Sequence, residues 1–212
     1  MAKDEALFDA IRTGNRKLSE QRVRELVAED TDVTEMLNGS MIPAMRDVGA
    51  RFSRNEAYVP ELLVAARAMQ TGLAIIEPML TAAGHEPIAR ICVGTVKGDL
   101  HDIGKNLVAM MVKGAGYDVD DLGVDCDADA FLHAVDGGAQ AVLCSALLTT
   151  TMPYMEKVVE SFRDRPDIKV VIGGAPVTAE FCERIGADSF GLDANDAVKI
   201  LDPLFAGAST PG

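Results

Sequence analysis

Through its first third the chain repeats apolar residues at helical spacing. Leu7, Phe8 and Ile11 mark a short helix ending near Gly14, and Val23, Leu26 and Val27 face inward from a second that Ser19 can cap. The Thr31-Asp32 pair opens a third helix carrying Leu37, Met41, Met45, Val48 and Phe52, which Pro43 is expected to kink or interrupt. After a break at residues 55–59, Pro60 suits the first position of a fourth helix. There Leu62, Ala66, Met69, Leu73, Ile76 and Leu80 form a continuous stripe, with a bend expected at Pro78. Apolar stripes on successive helices predict a four-helix bundle.

The pattern changes at Thr81-Ala82-Ala83-Gly84-His85-Glu86-Pro87, a small-residue and proline linker. Beyond it, strand-like runs at residues 90–96, 117–122, 141–145, 170–173 and, more weakly, 189–190 alternate with helical segments at 103–113, 128–135, 153–163, 177–185 and 194–205. That alternation predicts a flavodoxin-like, doubly wound parallel sheet of five strands, with right-handed crossovers placing helices on both faces. The expected organisation is a helical domain over residues 1–86 and an α/β domain over 87–212, with a frayed tail at 207–212.

Charge narrows the function classes. Of 212 residues 25% are charged and 48% hydrophobic, and the formal net charge is −13. Residues 1–86 carry 10 basic and 14 acidic side chains, residues 87–212 carry 10 and 19, so neither half offers the positive field that nucleic acid requires. Met1-Ala2-Lys3-Asp4-Glu5 does not open as a signal peptide does, and no apolar run reads as long enough to span a bilayer. The expectation is a cytoplasmic protein with neither nucleic-acid nor membrane partners. Cys92, Cys126, Cys144 and Cys182 form no Cys-x-x-Cys pair, which predicts reduced, buried thiols rather than a zinc site.

Three loops, each following a strand, hold the candidate chemistry. The first is Gly98-Asp99-Leu100-His101-Asp102-Ile103-Gly104, the second runs from Ser145 through Leu147 and Thr149, and the third is Gly173-Gly174. In a flavodoxin-like sheet these loops converge at the carboxyl edge of neighbouring strands. A lone loop histidine is commonly an ordinary hydrogen-bonded residue, but a carboxylate accepting from its second N–H would fix its tautomer and strengthen it as a metal donor. No clustered second histidine completes a zinc site, so a metal held by His101 must bring its other ligands, as cobalt in a corrin ring does. Ser145 can equally cap the next helix. Gly173-Gly174 can be a tight turn, or can let a bulky ligand approach the backbone. Neither a three-glycine dinucleotide fingerprint nor a Gly-Lys-Ser/Thr phosphate loop is present.

Asp99-x-His101-x-x-Gly104, Ser145-x-Leu147 and Gly173-Gly174, in that order, resemble the cobalamin-binding signature of B12-dependent methyltransferases and mutases. Gly98-Asp99-Leu100-His101-Asp102-Ile103-Gly104-Lys105-Asn106 is similar to the methyltransferase branch. Val59-Pro60-Glu61-Leu62-Leu63 with Ala65-Ala66-Arg67-Ala68-Met69 resembles the cap module of methionine synthase. Over nearly the whole chain the resemblance is to free-standing corrinoid proteins that serve methanol, methylamine, betaine and methoxylated-aromatic demethylation.

The resemblance implies a cobalamin or related corrinoid bound base-off, with His101 as the lower axial ligand, Asp99 its hydrogen-bonded partner, and both engaged in catalysis. It implies cofactor contacts from Gly98, Asp99, Leu100, His101, Asp102, Ile103, Gly104, Ser145, Leu147, Thr149, Gly173, Gly174 and Ala194. Ser145 would bond the buried benzimidazole, Thr149 would line the nucleotide slot, and the glycines would leave room for the tail. Cobalt(I) would take a methyl group from a substrate-specific methyltransferase, and methyl-cobalt(III) would pass it to a second methyltransferase acting on a folate or a thiol. A reductive activase is a further expected partner. Tyr58, Ala65 and Met69 are candidates to cover the upper corrin face, Met69 equally a bundle-core residue. Alternatives are a mutase subunit, a B12 light sensor (which adds a DNA-binding domain), and a receiver-like signalling domain, which would want a phosphorylatable aspartate where Ser145 stands.

Overall fold

The structure, a computed structural model, describes residues 3–205; the tail expected to fray at 207–212 lies outside them. The chain divides into two compact units, one of residues up to Pro87 with Gly114–Gly116, the other of Ile88–Lys113 and the residues from Tyr117 onward.

The first unit is helical: α1 (Glu5–Arg12), α2 (Arg16–Ala28), α3 (Val33–Met36), a π-helical turn over Leu37–Met41, α4 (Ile42–Ser53) and α5 (Val59–Ala82). Short polar side chains start the early helices, Asp4 accepting from the Leu7 amide, Asn15 from Leu18 and Asp32 from Thr34 and Glu35. Ser19 is not a cap. Asn15 offers the acceptor first, and Ser19 lies buried inside α2 with its hydroxyl donating to the Ala68 carbonyl of α5 at 2.9 Å. Pro43 does interrupt the helical ladder: it has no N–H to donate, and the turn just before it widens to the π form. Pro60 occupies the second rather than the first position of α5, behind Val59. Leu73, expected on the inner stripe, is only half-buried.

At 24 residues α5 is long and apolar enough, by length and composition, to cross a bilayer, which corrects the expectation that no run reaches that length. Glu61, Arg67 and Glu77 interrupt it, and Leu62, Ala65, Ala66, Met69, Ile76 and Leu80 are buried, with α5 packed along α1, α2 and α4 as a bundle helix. Of the three residues proposed to cover a ligand, Ala65 and Met69 are buried and Tyr58 is exposed.

The second unit contains β1 (Arg90–Val96), α6 (Ile103–Gly114), β2 (Asp118–Cys126), α7 (Ala128–Asp136), β3 (Ala141–Ser145), α8 (Pro153–Ser161), β4 (Lys169–Gly173), α9 (Ala179–Ile185), β5 (Ser189–Gly191) and α10 (Ala194–Phe205). All pairings are parallel, in the order β2-β1-β3-β4-β5. Alternation along the strands divides the core. Cys92, Val96, Val142, Cys144, Val170 and Ile172 pack with Phe131, Met155, Phe162 and Phe181 of the α7–α9 side. Ile91, Val93, Leu143 and Val171 occupy the intervening positions, facing the other way, and are buried, as are Met111 and Val112 of α6 and Val198 and Leu201 of α10. All four cysteines are free and buried, and burial pushes the Cys92 thiol up to about 12, far from thiolate chemistry.

β2 departs from expectation. It runs four residues past Leu122, through Gly123 and Asp125, residue types that ordinarily end a strand. As an edge strand it tolerates them by bulging: its register against β1 slips between Val93 and Gly94 and again between Gly94 and Val96.

Candidate functional site

The register sets one row across the carboxyl edge of the sheet. Thr95 of β1 lies beside Ser145 of β3, Ser145 beside Gly173 of β4, and Gly173 beside Gly191 of β5. The loops leaving this row bring the candidate residues together.

At the centre is Asp99, whose side chain is completely buried. Its Oδ1 accepts from the His101 backbone N–H at 3.0 Å and lies 2.7 Å from His101 Nδ1. Its Oδ2 accepts from the Leu147 and Leu148 amides at 2.8 and 3.2 Å and from the Thr151 hydroxyl at 2.8 Å. Burial by itself raises a carboxyl pKa. Here the Leu147 and His101 amides, the Thr151 hydroxyl and the imidazole outweigh it and hold Asp99 well below the usual carboxylate range. An ionised carboxylate only accepts, so Nδ1 must carry the imidazole proton and Nε2 is left as a lone-pair donor. The histidine side chain is 51% exposed. Its backbone is tied down as well, since the buried Thr95 hydroxyl donates to the His101 carbonyl at 2.9 Å.

Around this pair Leu100, Asp102, Ile103 and Gly104 are exposed, and a Cβ placed on Gly104 would meet nothing within 4 Å. Gly98 has φ +85° and opens the turn. Ser145 does not cap the next helix, which begins at Pro153; its half-buried hydroxyl bonds to none of the described residues. Leu147, Leu148 and Leu192 expose apolar surface in the β3–α8 and β5–α10 loops. Ala194 is buried at the start of α10, below the edge. Gly174 has a steric cause within the fold: with φ +129°, a Cβ there would collide with the Ala146 carbonyl oxygen. Among the described residues no three His, Cys, Asp or Glu side chains converge to hold a metal.

Several residues of the site escape a reading of the sequence. Thr151 is one, since three consecutive threonines give no sign of which matters; Thr149 is exposed and its hydroxyl bonds to none of the described residues. Lys105 is buried, its ammonium on the Asp121 carboxylate at 2.6 Å and on Asn106 Oδ1 at 2.7 Å. Asp125 is another, bonded to the loop that precedes His101.

Residues 89–201 match the B12 binding domain family, and residues 4–77 match a second family also described as a B12 binding domain. A corrinoid protein of Desulfitobacterium hafniense (strain Y51) is 35% identical over 205 residues, covering 93% of this chain and 95% of the relative. The chain belongs to the B12-binding corrinoid proteins. A trimethylamine corrinoid protein of Methanosarcina barkeri is 36% identical over 196 residues, covering 90% of each chain. The methanol:cobalamin methyltransferase complex of the same organism aligns with 95% of this chain and 79% of that chain, at 26% identity and a TM-score of 0.86.

The cofactor of this corrinoid protein is accordingly a cobalamin or related corrinoid, which sets the receiver-like reading aside. The residues fit such a group. A donor nitrogen with its tautomer already fixed suits a metal that brings its own equatorial ligands. The open space at Gly104, the unbonded Ser145 hydroxyl and the exposed Leu100, Ile103, Leu147, Leu148 and Leu192 suit a large, mainly apolar ligand.

Proposed function

We propose that this corrinoid protein is the methyl carrier of a methyltransferase system, with His101 as the lower axial ligand of a base-off, His-on cofactor. The observation that carries the reading is the Asp99–His101 pair: a buried ionised carboxylate on Nδ1 and a free Nε2 on an exposed face. When bound, the corrinoid supplies a cobalt that accepts a methyl group and releases it again. The protein's part is ligation and proton management. His101 Nε2 would hold the metal, and the Asp99 carboxylate 2.7 Å from Nδ1 would keep the imidazole proton on Nδ1. Leu147, Leu148 and Thr151 keep Asp99 in place throughout.

Ser145 is the hydrogen-bond partner for the detached base, Thr149 lines its slot, Gly104 and Gly173 leave room for the nucleotide tail, and Leu100, Asp102, Ile103 and Leu147 contact the ring or tail. Ala194, at the start of α10, is a further cofactor contact. In this reading residues 87–212 form the cofactor domain and residues 1–86 a helical cap. The names of the relatives, trimethylamine and dimethylamine corrinoid proteins, together with the methanol:cobalamin methyltransferase complex, favour a methylamine or methanol as donor over a betaine or methoxylated aromatic. The partners are a donor-specific methyltransferase, a methyltransferase delivering to a folate or thiol, and a reductive activase, all in the cytoplasm.

The test is His101→Ala loaded with hydroxocobalamin. The visible spectrum should change from that of the imidazole-ligated wild type to that of a water-ligated corrinoid. An unchanged spectrum refutes the assignment.

A further inference from the structure

The loop that carries His101 is gripped from a direction that neither its sequence motif nor the carboxylate beneath it accounts for. β2 contains two bulges, the first at Gly123 (φ +82°), the second before Cys126. In the second, Asp125 adopts φ +55°, a left-handed conformation that few residues other than glycine take up and that aspartate tolerates. The bulge turns both polar ends of Asp125 onto the loop. Its carboxylate Oδ1 accepts from the Gly98 amide at 2.7 Å, and its own amide donates to the Asp99 carbonyl at 3.1 Å. The first bulge is held in turn, because Asp121 accepts from the Gly123 amide at 2.9 Å and from the buried Lys105 ammonium of α6.

Resting on the reading that His101 ligates the metal, we infer that Asp125 is a positioning residue for it. A bulged edge strand clamps the peptide groups on both sides of the Gly98–Asp99 bond, so the imidazole is aimed before the cofactor arrives. Asp99 fixes the ring's tautomer, and Asp125 fixes the backbone from which Asp99 and His101 both project. Without the clamp, ligation would have to order the loop as well as form the bond, and removing such support around a metal ligand commonly costs on the order of tenfold or more in affinity.

Three substitutions at one position separate the side chain from the backbone. Asp125→Asn keeps both the acceptor oxygen and the tolerance of positive φ, Asp125→Gly keeps only the latter, and Asp125→Ala keeps neither. Two quantities are measured on the full chain: amide exchange at Gly98 without cofactor, and hydroxocobalamin affinity together with, after one-electron chemical reduction of the bound cofactor to cobalt(II), the paramagnetic resonance signature of an axial imidazole nitrogen. Asn should match wild type. Ala and Gly should both accelerate Gly98 exchange, weaken binding roughly tenfold and lower the imidazole-ligated fraction. If Gly binds and ligates like wild type, or Ala leaves Gly98 exchange unchanged, the clamp is refuted. His101→Ala is run alongside. If it leaves the signature unaltered, the ligand assignment fails, whatever the Asp125 variants do to exchange. If it abolishes the signature while Asp125→Ala does not weaken it, only the present inference falls.

Discussion

Asp99→Asn is the most informative single change because the structure dictates which way the new side chain must turn. The carboxylate serves donors on both oxygens: the His101 amide and Nδ1 on one, the Leu147 and Leu148 amides and the Thr151 hydroxyl on the other. Asparagine keeps one oxygen and replaces the other with NH2. With NH2 toward the β3–α8 loop, two backbone N–H groups lose their acceptor, at about 1–3 kcal/mol each. Thr151 escapes, since its hydroxyl can turn to the Leu148 carbonyl at 2.9 Å. With NH2 toward His101 only one backbone N–H is stranded, and the ring can respond by accepting at Nδ1. That orientation is favoured by about one stranded group. Its consequence is chemical: the imidazole proton moves to Nε2, the atom that faces outward, and the lone pair turns inward.

The variant should therefore fold, lose about 1–3 kcal/mol in urea unfolding without cofactor, and have His101 in the opposite tautomer. Long-range nitrogen–proton correlation spectra of the imidazole read this directly, with Nδ1 protonated in wild type and Nε2 in the variant, both recorded above pH 7.5. Retention of the Nδ1 proton in Asp99→Asn would show that the carboxylate does not select the tautomer, and the site's logic would fail with it.

Thr151→Val, which keeps the shape and removes the donor to Asp99, should cost about 1 kcal/mol by urea unfolding, while Thr151→Ser should cost little. Gly174→Ala should be severely destabilising, about 3 kcal/mol or more, because its Cβ would collide with the Ala146 carbonyl. Gly104→Ala meets nothing and should stabilise the cofactor-free protein by up to about 1 kcal/mol while weakening hydroxocobalamin binding. Acid should narrow the stability gap between wild type and Asp99→Asn. The folded pKa of Asp99 is depressed, so its contribution is full above the unfolded value of about 3.9 and is lost as pH falls towards the folded value. Thermal melts at pH 6, 4 and 3 should show the two converging.

The alternating β and α segments, the linker and the helix start at Asp32 can be read from spacing, and the start of α5 to within one residue, because each depends on residues a few positions apart. Two errors share a cause. Ser19 looks like a cap until Asn15 is seen to occupy that role, and β2 looks finished at Leu122 until an edge position is seen to accommodate Asp121, Gly123 and Asp125 through bulges. In both, a local signal was outweighed by what a neighbouring group had already satisfied. The Asp99–His101 spacing of two was likewise legible, as a short-range pair. Thr151 and Asp125 were not: the first is 52 positions from Asp99 and the second 27 from Gly98, and nothing local to either reveals its partner. Gly174 has a need that its sequence neighbours do not reveal, since an added Cβ there would meet the Ala146 carbonyl.

The buried carboxylate also bears on how the chain reaches its working state. Its donors come from the first and second strand-end loops, segments 48 to 52 positions apart, so no fragment ending before residue 147 can hold the carboxylate in its final setting. The setting around the histidine is therefore complete only after β1 and the central strand β3 have docked, a non-local event. A nascent or damaged chain would display the same histidine motif without the aim that makes it useful. If His101 holds the cofactor as proposed, capture of the pigment would double as a check on folding, and colour would measure correctly assembled protein.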